Sequence, residues 1–102
     1  MFGANREKIK IPHPFGIMIG TNTTIDDDVK IFQQVTFGSH GRLNEPKKYP
    51  IVLSGSIIYA GAKIIGGATI GNNAIVGANS MVLQDVSANT IVAGVPAVVK
   101  TG

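Results

Sequence analysis

Two histidines, His13 and His40, are the side chains of this chain whose charge changes near neutrality, and no cysteine stands beside them as a thiol nucleophile. An imidazole poised there suits general-base work on a hydroxyl, and such a base typically contributes about 10²–10⁴-fold to a rate. Two histidines fall short of a three-histidine zinc centre, so a zinc hydratase is disfavoured. The run Asp26-Asp27-Asp28 resembles an acidic cluster, but a divalent cation needs several convergent oxygens. Consecutive aspartates more commonly make a turn, their side chains bonding nearby backbone, and one of them could instead orient a histidine. His40 and Arg42 lie in the polar segment SHGRLNEPKKYPI, and two readings of them stay open: residues lining a binding pocket, or solvated loop residues. Tyr49 could donate a hydrogen bond there or pack the segment down, and packing is favoured for an aromatic between lysine and proline.

What must position these residues is a repeat of six. Val52, Ile58, Ile64, Ile70, Val76 and Val82 each open a unit whose fifth place holds a small or aliphatic residue: Ser56, Ala62, Ala68, Ala74, Ser80 and Val86. Upstream, Ile19, Ile25, Ile31 and Phe37 open units, with Thr23, Val29 and Val35 at fifth places; extended backwards, the period puts His13 at an opening place and Ile17 at its fifth. A period of six matches neither a helix nor a half-buried strand, so each unit is a short strand plus a turn stacked on its neighbours. The spacing predicts one all-β domain over 1–102: a lead-in over 1–12, coils over 13–38, an extruded loop over 39–51, further coils over 52–93 and a short tail over 94–102. Phe37 and Val52 are fifteen residues apart, which is not a multiple of six, and that places the loop.

Bulk composition narrows the partners. Aromatic residues make up 6% and charged residues 15% of the chain, while the 44% hydrophobic content is mostly Ile, Val and Ala, as stacked strands require. Coils contact only adjacent coils, so apolar faces and ends need covering, and self-association is expected. The net charge of +3 comes from dispersed Lys and Arg, without the basic stripe and stacking aromatics of a nucleic-acid surface. No stretch approaches 18 apolar residues and the start lacks an apolar leader core, so no membrane is expected and the cytoplasm is the default location.

The segments HPFGIMIG, VKIFQQVTFGS, the loop ending KKYP, IIYAGAKIIGGATIG, VGANSMVLQDV and AGVPA occur in the order found in hexapeptide-repeat acyltransferases. The chain resembles the serine acetyltransferase-like branch of that family from His13 to Lys100. The resemblance implies a left-handed parallel β-helix, assembly as a homotrimer, and transfer of an acetyl group from acetyl-CoA to a small acceptor. It puts His13 where the family has its catalytic base, Ala60, Gly61 and Ala78 where backbone holds the pantetheine arm, and Lys100 near a CoA phosphate, with no metal expected. Small side chains at such places also permit close approach to backbone. Two features depart from the family: Pro12 stands where an aspartate usually precedes the histidine, and Lys48-Tyr49-Pro50 stands where Arg-His-Pro is usual. Both touch the hold on serine, which favours a saccharide hydroxyl as acceptor. A non-catalytic binding or assembly module on the same solenoid is the alternative.

Overall fold

The computed structural model describes residues 9–12, 15–41 and 46–100, and these form strands and turns without a helix. The strands lie on three faces of a prism. One face carries β1 (Met18–Ile19), β4 (Thr36–Gly38), β7 (Lys63–Ile65) and β10 (Met81–Val82), side by side and parallel. A second carries β2 (Thr24–Ile25), β5 (Ile51–Val52) and β8 (Thr69–Ile70). The third carries β3 (Lys30–Ile31), β6 (Ile57–Ile58), β9 (Ile75–Val76) and β11 (Ile91–Ala93), closed by β12 (Val98–Lys100). We call these the first, second and third faces. The chain visits them in turn, so a coil is three units.

The opening residues point inward. Ile25, Ile31, Phe37 and the six from Val52 to Val82 are all buried, as are the fifth places Thr23, Val29, Val35, Ser56, Ala62, Ala68, Ala74 and Ser80. Each fully buried Ile or Val stabilises by about 1.5–3 kcal/mol relative to exposure, and here they stack in columns one coil apart. Fifth places sit at corners with room for little. Serine fits there because its hydroxyl donates to the carbonyl three residues back, Ser56 Oγ to Leu53 O at 2.8 Å and Ser80 Oγ to Gly77 O at 2.7 Å. Thr23 Oγ1 is buried and has no hydrogen-bond partner among the described residues. Thr23→Val should therefore raise stability by about 1 kcal/mol, the desolvation cost of an unmet hydroxyl, read as a higher melting temperature. The turns reuse one conformation at the fourth place of a unit, φ near +60 to +80° at Asp28, Gln34, Gly55, Gly61, Asn73 and Asn79. Gly, Asn and Asp tolerate this region best, which explains their recurrence.

The period of six is interrupted at three places. Thr24 faces Ile51, twenty-seven residues on, so the loop adds nine residues to a coil of eighteen. Near the end Ile75 faces Ile91, sixteen residues on, and Val86 bridges Ile70. Val86 thus takes an opening place, not the fifth place assigned by strict counting: the unit from Val82 has four residues, and Asn89 is left-handed at the fourth place counted from Val86. Either slot faces inward and accepts valine, so hydrophobicity could not separate them. At the start, Lys10 bridges Lys30, which sets Ile11 opposite Ile31. Ile11 packs on the core and fills the opening place that the period offered to His13. An isoleucine belongs in that aliphatic column more cheaply than an imidazole.

The tail does not run free. Val98–Lys100 folds back antiparallel along β11, with Val98 facing Ala93 and Lys100 facing Ile91. The hairpin supplies backbone partners to β11 on the side away from β9.

Candidate active site

Ala60, Gly61, Ala78, His40 and Tyr49 fall on the two edges of the first face, whereas Asp26, Asp27 and Asp28 turn the corner between the second and third faces. The edge between the third and first faces holds a column at the third place of successive units: Gln33, Ala60 and Ala78. Gly61 N donates to Gln33 O at 3.0 Å, and Asn79 N donates to Ala60 O at 2.9 Å, so backbone ties each corner to the one before. The column extends to Phe15 and Gly16, since Gln34 N donates to Phe15 O at 2.8 Å. Those residues follow directly on His13 and Pro14. His13 itself, like Arg42, lies outside the described residues.

Gly61 is left-handed, with φ +76°, and a Cβ there would press on the tip of the Asn79 side chain, so a larger residue would have to displace that amide. Ala60 is half-buried and Ala78 exposed. Both leave the corner's outer surface clear. Beside it, on the third face, the rings of Phe32 and Tyr59 stack with centroids 5.0 Å apart. Lys63, on β7 just past the corner, donates from Nζ to Gly61 O at 3.2 Å, which places an ammonium at this edge. Sequence reasoning passed over Lys63 as one dispersed cation, although it closes the segment YAGAK. Lys100 is further away. In the β11–β12 register Val98 lies next to the corner and Lys100 two residues along, roughly 6–7 Å of strand.

The other edge, between the first and second faces, carries the loop. Its described parts lie against the corner. A Cβ on Gly20 would come within 2.5 Å of the Tyr49 ring, and one on Gly67 within 3.2 Å of Lys48 Cβ, so the ring and the lysine stem occupy the space that those glycines leave. His40, half-buried, shares a hydrogen bond of 2.9 Å between Nε2 and Pro46 O, which ties the two arms of the loop together. Tyr49 and His40 are thus held at one edge, while Ala60, Gly61 and Ala78 are at the other. Between them runs a three-residue strand with its corners, roughly 10 Å. One chain does not bring the two sets together. An apolar groove of about 540 Å³ opens at the far end, between the shortened unit and the hairpin, and none of these residues lines it.

Residues 49–84 match the family model described as bacterial transferase hexapeptide (six repeats). The chain belongs to the hexapeptide-repeat family. Within that family its likeness is to serine acetyltransferases. It is 44% identical over 89 residues to the serine acetyltransferase of Salmonella typhimurium, covering 87% of this chain and 32% of that one. Among solved structures, serine acetyltransferase from Vibrio cholerae superposes with a TM-score of 0.84 at 43% identity, over 89% of this chain and 35% of that one. Serine acetyltransferase from Brucella abortus in complex with coenzyme A gives 0.84 at 35% identity, over 89% and 36%. This hexapeptide-repeat chain therefore spans about a third of the length of such relatives. The shared fold is the left-handed parallel β-helix. Among the described residues no helix is long and apolar enough to cross a membrane.

Proposed function

We propose that this chain transfers an acetyl group from acetyl-CoA to the hydroxyl of a small acceptor, in the cytoplasm and as a homotrimer. The observation that carries the reading is the clear corner at Ala60, Gly61 and Ala78, which leads to the segment following His13 on a fold shared with a coenzyme A-bound relative. The pantetheine arm lies along that corner, its amides pairing with backbone where side chains are small. His13 takes the proton of the acceptor hydroxyl as its oxygen attacks the thioester carbonyl, and returns that proton to the departing thiolate. Backbone N–H groups hold the carbonyl oxygen as charge develops on it. Without a cysteine, direct transfer between the two bound substrates is favoured over an acyl-enzyme. Lys100 and Lys63 are the cations on hand for phosphate, Lys63 being nearer the corner.

Assembly supplies what one chain lacks. A groove between two solenoids can set the Ala60–Ala78 edge of one copy against the loop edge of its neighbour, bringing His40, Arg42 and Tyr49 to the acceptor. Sedimentation should show a trimer; a stable monomer that turns over acetyl-CoA would contradict this arrangement.

For the acceptor, the relatives' names support serine, while Pro12 and Tyr49 weaken the hold on it. Loss of one charge-assisted contact, about 1.5–3 kcal/mol, predicts a serine kcat/KM lowered by roughly one to two powers of ten from the family pattern. Thiol release from acetyl-CoA should be ranked across serine, homoserine, and free and nucleotide-linked sugars. Serine leading the panel would assign the acceptor to the relatives' class, a sugar leading it would assign the departures that role, and release with none would favour a binding module.

A further inference from the structure

Gln33 occupies the same column as Ala60 and Ala78, at the end nearest Phe15, and the nine-residue loop hides this in the sequence by setting Gln33 twenty-seven positions from Ala60. Its backbone carbonyl is used by Gly61 N. Its side-chain oxygen is not: Oε1 is buried and has no hydrogen-bond partner among the described residues. A desolvated acceptor without a donor is costly and uncommon in a folded chain, and calls for an explanation. The other such atom, Thr23 Oγ1, lies at an inward fifth place inside the prism. Gln33 instead stands at a corner and is only half-buried. The terminal torsion of glutamine is soft, so Oε1 is not locked in its unpaired position.

We propose that Gln33 Oε1 accepts a hydrogen bond from a pantetheine amide N–H, the one nearer the thioester. The inference rests on the reading of this corner as the acetyl-CoA groove. Ala60 and Ala78 can offer the arm only main-chain groups, whereas Gln33 offers a side-chain acceptor, and it does so at the end of the column bonded to Phe15, two residues after His13 in the sequence. A bond there fixes the arm's position along the groove, and with it the reach of the thioester toward the base.

The test measures binding of CoA and of 3′,5′-ADP, which lacks the arm, to the intact chain and to Gln33→Leu, Gln33→Met and Gln33→Glu, beside their melting temperatures. Gln33→Leu should weaken CoA by about tenfold, the value of one net hydrogen bond. Affinity for 3′,5′-ADP should stay unchanged, and the ligand-free melting temperature should hold or rise because an unmet acceptor is gone. Gln33→Met, matched in length, should follow Gln33→Leu, and Gln33→Glu, which keeps an acceptor oxygen, should stay within about threefold of the parent. CoA affinity unchanged in Gln33→Leu and Gln33→Met overturns the inference while leaving the groove in place. Equal loss of CoA and 3′,5′-ADP overturns it too, as does Gln33→Glu behaving like Gln33→Leu. A parent chain that does not bind CoA overturns the groove and the inference together.

Discussion

His13→Ala should lower acetyl transfer by about 10²–10⁴-fold, which corresponds to roughly 3–5 kcal/mol of transition-state stabilisation. The loss should fall on kcat, because in the proposed mechanism the imidazole acts on the hydroxyl proton as the new bond forms, while the proposed hold on CoA is the Ala60–Ala78 corner and not that side chain. The fold should persist, since Ile11 fills the inward place in that coil. CoA affinity and melting temperature measured beside the rate separate this outcome from a folding defect. Activity within about tenfold of the parent would remove His13 as the base.

Phe37→Ala should have the largest effect on stability. Phe37 is 1% exposed and faces Ile19 on one side and Ile64 on the other in the inward column of the first face. Removing a buried phenyl ring costs about 3–5 kcal/mol, because the removed atoms lose their burial and stacked coils cannot collapse into the space. Against a total of about 5–15 kcal/mol for ordinary domains, that is a large fraction. A thermal melt followed by circular dichroism should fall by roughly 15 °C or more, whereas Phe37→Leu, nearer in volume, should cost less than about 1.5 kcal/mol. Equal melting of the two variants would contradict the stacked-column account.

The architecture was legible because a single rule repeats: an aliphatic residue to face inward, then a small one to turn the corner. Ile58, Ile64 and Ile70 state that rule without ambiguity. It weakened where one residue satisfies two slots, as Val86 does, and where another residue could take a slot better, as Ile11 does ahead of His13. In the first case Asn89 was the available sign: it is left-handed at the fourth place counted from Val86, as Asn73 and Asn79 are at the fourth places of their own units. The candidate site was legible residue by residue but not as an arrangement. Ala60 and Ala78 are one coil apart and so visibly share a column, whereas Gln33 belongs to that column only once the nine loop residues are discounted. Likewise His40 and Tyr49 are near Ala60 in sequence yet stand at the opposite edge of the first face, because a unit's position around the prism changes at every corner.

The most direct measurement follows free thiol released from acetyl-CoA with and without each acceptor of the panel, by the intact chain and by Ala60→Trp, whose indole would cover the corner. The account predicts release that depends on the acceptor in the first case and its loss in the second, with both chains folded and assembled. Release by the intact chain that ignores every acceptor, or equal release by both chains, would contradict it.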